Sequence, residues 1–229
     1  VSAAAASILA SENVLMEFAN RRDAGRLLAK QLVHLAAERP IVVALPRGGV
    51  PVAFEIAIQL GAPLEILAVR KLGAPTNLEF GVGAIAEDGS AVLDSVTARR
   101  AGMTQDVLDA TVAREAAELR RQVARYRDGR PALEVSGRTV IVVDDGLATG
   151  LTDLAAIRSL RASGASTIVV AVPVGARESI ELVAAEADEL VCLTIPRSLF
   201  GIGRWYRDFS AVSDEEVLEL LAASVALPG

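Results

Sequence analysis

Residues 140–152 read Val140-Ile-Val-Val-Asp-Asp-Gly-Leu-Ala-Thr-Gly-Leu-Thr152. Four β-branched residues run into two adjacent carboxylates, a short Gly/Ala/Thr loop follows, and then a helical pattern begins. Val140–Val143 suit a strand buried on both faces. Two neighbouring aspartates repel each other and end that strand. A buried strand that passes through a small-residue loop into a helix is the repeating unit of a parallel α/β sheet.

Working outward, the same alternation recurs. Phe18–Glu38 has the spacing of an amphipathic helix, and Pro40 stops it. Ile41–Leu45 is a strand leading into Pro46-Arg-Gly-Gly49. Val50–Leu60 is a helix with Pro51 in its first turn and Gly61 at its end. Leu64–Val69 is a strand that ends in Arg70-Lys71. Residues 72–90 are rich in Gly, Pro, Asn and acids, with short strands at Val82–Ala86 and then Ala91–Leu93. Thr104–Asp128 is one long helix with a single apolar stripe. Downstream come a helix to Ser163, a strand Thr167–Val172, a helix Glu178–Glu186 and a strand Glu189–Thr194. A last helix, 214–224, has a Ser213/Glu216 capping box. The pattern predicts an α/β protein with a central, mainly parallel sheet flanked by helices. One domain is expected over 16–229. Residues 1–15 are expected to be a flexible or artificially appended extension, with Met16 near the natural start.

Composition excludes several chemistries. A single cysteine, Cys192, allows no internal disulfide and no cysteine-based zinc site. A single histidine, His34, excludes multi-histidine metal centres. His34 reads as a helix-surface residue and Cys192 as a small buried hydrophobe. The net charge of −6 disfavours non-specific nucleic-acid binding. The arginines between Arg114 and Arg130 alternate with Glu115, Glu118 and Asp128, so they read as a solvated helix face. No apolar run is long enough to span a membrane, so a soluble, cytoplasmic protein is expected.

In parallel α/β sheets, ligands bind beyond the carboxyl ends of the strands. Three such ends here carry charge or bare backbone: Pro46-Arg-Gly-Gly49, Arg70-Lys71, and Asp144-Asp145 with its loop. Backbone N–H groups at 148–152 lead into a helix N-terminus, which favours phosphate. Asp144 and Asp145 suit sugar hydroxyls, or a metal-bound sugar, better than phosphate itself. Together they fit a sugar phosphate.

Residues 140–152 resemble the phosphoribosyl-diphosphate motif of type I phosphoribosyltransferases: a hydrophobic strand, two acids, two apolar residues and a Thr/Gly loop. Gly146 and Leu151 depart from that pattern. The resemblance covers roughly residues 20–195. It implies Mg²⁺-dependent transfer of ribose 5-phosphate from phosphoribosyl diphosphate to a nucleobase or similar nitrogen, as in nucleotide salvage. It places the 5-phosphate on Ala148, Thr149, Gly150, Leu151 and Thr152. It places the pyrophosphate on Arg47, Gly48, Gly49, Arg70 and Lys71. Asp144, Asp145 and Lys71 become the catalytic candidates, with the two aspartates meeting the metal only through ribose or water. Residues 72–90 correspond to a mobile loop closing over the reaction, with Glu79, Glu87 and Asp88 as candidate proton acceptors. Ala148 stands where members acting on 6-oxopurines often have an acid, which weakens the hypoxanthine/guanine reading. A homodimer is expected, as is common in the family.

Phe200, Trp205, Tyr206 and Phe209 gather half of the chain's aromatics in ten residues. Two readings stay open. Phe200, Trp205 and Tyr206 stack on a base as part of a hood over 196–229, with the N-terminal helix as a second contributor, or the cluster anchors helix 214–224. A regulator that binds phosphoribosyl diphosphate or a nucleotide without turnover is the alternative function. A nicotinamide enzyme is disfavoured, since no GxGxxG follows a strand.

Overall fold

The computed structural model describes residues 7–12, 16–74, 77–129, 131–132 and 134–225. Its centre is a parallel sheet of six strands. In chain order these are β1 (Ser7–Glu12), β2 (Ile41–Ala44), β3 (Leu64–Ile66), β7 (Thr139–Val143), β8 (Thr167–Val174) and β9 (Glu189–Ile195). In space they run β1-β9-β8-β7-β2-β3, every neighbouring pair parallel. Residues 7–12 therefore differ from the flexible extension expected for 1–15: their backbone pairs with β9 at the sheet edge.

The central strands β2, β7 and β8 are almost wholly apolar because both faces are covered. Side chains alternate between faces with period two. Val42, Ala44, Ile141 and Val143 enter one core, with α1 (Arg21–Gln31), α2 (Gly49–Leu60) and the C-terminal α7 (Asp214–Val225). Ile41, Val43, Val140 and Val142 enter the other, with α5 (Leu151–Ala162) and α6 (Arg177–Ala184).

The expected helix 18–38 is shorter. Asn20 caps α1, its side chain accepting from the Asp23 N–H at 2.9 Å, and a 3-10 turn over Val33–Glu38 follows. Phe18 is withdrawn from the helix because it pairs with Tyr206, the Phe18 N–H donating to the Trp205 carbonyl at 2.8 Å.

The strands expected at Val82–Ala86 and Ala91–Leu93 are present, but residues 72–74 and 77–81 differ from the expected loop. They belong to a second, antiparallel sheet of β4 (Val69–Ala74), β5 (Asn77–Ala86) and β6 (Ala91–Leu93), in that order. Glycine and acid content points to a loop. Buried Leu72, Val82, Ala84, Ile85 and Ala86 instead supply apolar faces that both cores use. A short helix α3 (Ser95–Arg100) and the long α4 (Gln105–Arg127) follow, with Thr104 and Asp128, the ends expected of the long helix, serving as the caps of α4.

Sheet order decides where a ligand belongs. From β2 the chain moves outward to β3, whereas β7 begins a progression to β8 and β9 on the other side. The order reverses between β2 and β7, so their carboxyl ends flank the switch point where α/β sheets open a crevice. Ala44 stands opposite Val143, and the Leu45 N–H donates to the Val143 carbonyl at 2.9 Å. The loops after β2 and β7 thus leave the sheet side by side.

Candidate functional site

Asp144 and Asp145 emerge from β7 at this switch point. The Asp145 N–H donates to Asp144 Oδ1 at 2.8 Å, which turns the chain out of the strand. The Pro46–Arg47 peptide is cis, and the turn after it passes hard against the acids. A Cβ on Gly48 would stand 2.0 Å from Asp145 Oδ2, and one on Gly49 would stand 2.4 Å from the Val143 carbonyl. The bare backbone expected to approach an anion is thus also required by the acid pair itself.

Asp145 has a partner that the sequence does not suggest. Arg21 Nε, at the start of α1, donates to Asp145 Oδ2 at 2.8 Å, with the two side chains 11% and 16% exposed. The same guanidinium donates to the Ser210 carbonyl at 2.8 Å and lies 3.8 Å from the Phe209 ring centroid. No periodicity links residues so far apart in the chain, so only the fold reveals this contact.

Burial pushes Asp144 well above the ordinary carboxylate range, and the charges of Asp145 and Asp153 add to the shift. Burial raises Asp145 as well, opposed by Arg21. Asp153, also missed from sequence, is 1% exposed in the first turn of α5. Desolvation lifts it to about 7, against the hydrogen bond from Thr152. Its Oδ1 has no hydrogen-bond partner among the described residues. A neutral Asp153 leaves the positive end of the helix dipole to an incoming anion.

The loop 148–152 leads directly into the N-terminus of α5. Gly150 caps α5 with φ 74°, and no side chain caps that helix. Ala148 and Thr149 are exposed, while Gly150 is buried. Ser179 Oγ of α6 donates to the Ala148 carbonyl at 2.7 Å and braces the loop from behind. The two departures from the motif find structural reasons. A Cβ on Gly146 would lie 2.6 Å from the Ile202 side chain, so glycine makes room for the C-terminal segment. Leu151 packs against the core beneath α5.

The basic dipeptide divides. Arg70 lines a cavity of about 330 Å³ together with Arg47, while its Nε donates to Glu115 Oε2 at 2.6 Å. Lys71 alternates to the opposite face of β4, where its chain lies over Gly81. Two of the three loop acids serve structure. Glu87 accepts from Arg127 at 2.6 Å and from the Ala68 N–H at 3.1 Å, and Asp88 closes a turn with Ser90. The side chain of Glu79 lies outside the described residues.

The aromatic residues separate in the same way. Tyr206 is 5% exposed, packs between Phe18 and Phe209 at 5.3 and 5.0 Å, and donates to the Asp145 carbonyl at 2.6 Å. It anchors the 202–210 segment to the acid pair rather than offering a free ring face. Phe200 is 76% exposed, and with Trp205, Met16 and Arg204 it lines a cavity of about 250 Å³.

The residues set aside on composition fall where expected. His34 is on the surface, 3.1 Å from Glu189, and burial pushes the Cys192 thiol up to about 12. Among the described residues no helix is long and apolar enough to cross a membrane.

A strand-end acid pair, a loop entering a helix N-terminus and a basic turn meet at one switch point, where parallel α/β sheets bind their ligands. The phosphoribosyl transferase domain model matches residues 15–204, and the chain belongs to that family. MT0597 and Rv0571c of Mycobacterium tuberculosis, each named provisionally as a phosphoribosyl transferase, are 45% identical to it over 204 residues. That match covers 89% of this chain, which spans about half the length of these relatives (46%). The crystal structure of TT1426 from Thermus thermophilus superposes with a TM-score of 0.77 at 43% identity, covering 91% of this chain and 99% of that one.

Proposed function

We propose that the protein transfers ribose 5-phosphate from phosphoribosyl diphosphate to a nitrogen of a nucleobase or related acceptor, releasing pyrophosphate. The observation that carries this reading is the convergence, at the β2/β7 switch point, of Asp144-Asp145, the uncapped N-terminus of α5 and the Arg47-Gly48-Gly49 turn. The 5-phosphate sits on Ala148, Thr149, Gly150, Leu151 and Thr152, held by backbone donors and the helix dipole. Asp144 and Asp145 accept from the ribose hydroxyls. Arg47, Gly48, Gly49 and Arg70 receive the pyrophosphate, whose charge grows as the C1–O bond breaks and the C1–N bond forms, while Lys71 stands on the other face of β4. The acceptor lies against Phe200 and Trp205 in the hood formed by 196–229.

Hard oxygen donors suit Mg²⁺. Among the described residues no group of three or more His, Cys, Asp or Glu is placed to cage a metal. Asp144 and Asp145 would meet such an ion only through the ribose or water, and the ion would supply charge to neutralise the leaving pyrophosphate.

A second reading, a regulator that binds the sugar diphosphate without turnover, draws support from one observation. Arg21 already donates to Asp145 Oδ2, an acceptor the ribose hydroxyls need. A nucleobase screen with phosphoribosyl diphosphate and Mg²⁺, followed by pyrophosphate release, separates the two. Turnover with any base is the expected result. Tight binding with no turnover across the screen would leave the regulator standing.

A further inference from the structure

The arginines of α4 read from sequence as a solvated face, yet two of them do more. Arg121 and Arg125 line the same cavity of about 330 Å³ as Arg47 of the β2 turn and Arg70 of β4. Four guanidiniums meet there against two lining carboxylates, Glu118 and Asp214. Glu115 and Glu215 also reach Arg70 and Arg125 from outside the lining, and the convergence of four forked donors on one cavity suits a polyanion of phosphate geometry.

Asp214, the first residue of α7, is held as an anion would be. Its Oδ2 accepts from Arg125 and its Oδ1 from the Tyr126 hydroxyl, both at 2.5 Å, with Arg47 3.8 Å away. Arg70 and Arg121 lean on Glu115 and Glu118 in similar fashion. Arg121–Glu118 and Arg125–Asp214 are partly solvent-accessible, and exposed ion pairs exchange partners at little cost, whereas Glu115 holds Arg70 from a side chain only 12% exposed.

We infer that this cavity is a diphosphate site in which Arg121 and Arg125 act beside Arg47 and Arg70, and in which Asp214 keeps the place of one phosphate while the site is empty. Ligand entry then exchanges Asp214 for phosphate and loosens the hold of α4 on α7. The inference rests on the transferase reading only for the source of the diphosphate, either the donor's leaving group or a free oligophosphate.

Calorimetric titration of inorganic pyrophosphate into the full chain tests it, with ribose 5-phosphate titrated in parallel. Arg121→Gln and Arg125→Gln should each weaken pyrophosphate by roughly tenfold and leave ribose 5-phosphate unchanged. Asp214→Asn should strengthen pyrophosphate binding. Arg121, 72% exposed at its side chain, can be changed without disturbing the core, so a folding failure at Arg125 leaves the test intact. Pyrophosphate affinity within twofold of native in the Arg121→Gln variant would overturn the site, and an unchanged or weaker affinity in Asp214→Asn would overturn the place-keeping role. Competition by phosphoribosyl diphosphate assigns the cavity to the leaving group; binding that persists under saturating donor assigns it to a separate oligophosphate. Pyrophosphate binding without ribose 5-phosphate binding would sink the transferase reading and spare this one.

Discussion

At the residue scale the central fact is how little room surrounds Asp145. Its carboxylate lies between Arg21 and the backbone of Gly48, with Tyr206 bonded to its carbonyl. Gly48→Ala brings a methyl to 2.0 Å of Asp145 Oδ2, so either the turn or the acid must shift. The expected cost is about 1–3 kcal/mol of stability, read as a fall in denaturation midpoint. An unchanged midpoint would show that the turn yields freely. Tyr206→Phe removes the 2.6 Å bond to the Asp145 carbonyl and should cost about 1 kcal/mol in the same experiment. Asp144, Asp145 and Arg47 were legible in the sequence because each lies next to its strand. Arg21 and Ile202 were not, since their partners are distant in the chain and no local spacing announces them.

The element scale shows what a helix N-terminus can tolerate. Asp153 places a carboxyl in the first turn of α5, where the dipole favours it and burial opposes it. Below about pH 4 the group is protonated in the folded and the unfolded chain alike, and its burial carries no ionisation penalty. As pH rises through the ordinary value of 3.8, the unfolded chain ionises while the folded one keeps its proton until about 7. Stability therefore falls between about pH 4 and pH 7 by a few kcal/mol and then levels off. Asp153→Asn should flatten that part of the profile and raise the melting temperature at pH 8 more than at pH 4. Equal shifts at both pH values would contradict the assignment. Element reading succeeded for α4, α5 and α7, whose caps Thr104, Gly150 and Ser213 stand in the sequence. Over 72–90 only the short strand Val82–Ala86 was legible, because the glycine-rich chain before it looks like a loop until its buried face is seen against two cores.

At the scale of the whole molecule, topology brings the parts together. β2 and β7 are far apart in sequence and adjacent in the sheet, and the direction of winding reverses between them. One reversal sets the acid pair, the α5 loop and the basic turn around a common crevice, while the 202–210 segment covers it through Ile202, Tyr206 and Phe209. The alternating pattern made the parallel sheet legible. The edge pairing of residues 7–12 was not, because nothing in Ser7–Glu12 names β9 as its partner.

The most direct test of the central claim is calorimetric titration of phosphoribosyl diphosphate with Mg²⁺ into the native chain and the Asp144→Asn/Asp145→Asn double variant. The account predicts saturable binding to the native protein and a loss of roughly a hundredfold in the variant, about 3 kcal/mol. Equal affinity in the two proteins would contradict it, since the carboxylates at the end of β7 would then hold no part of the sugar.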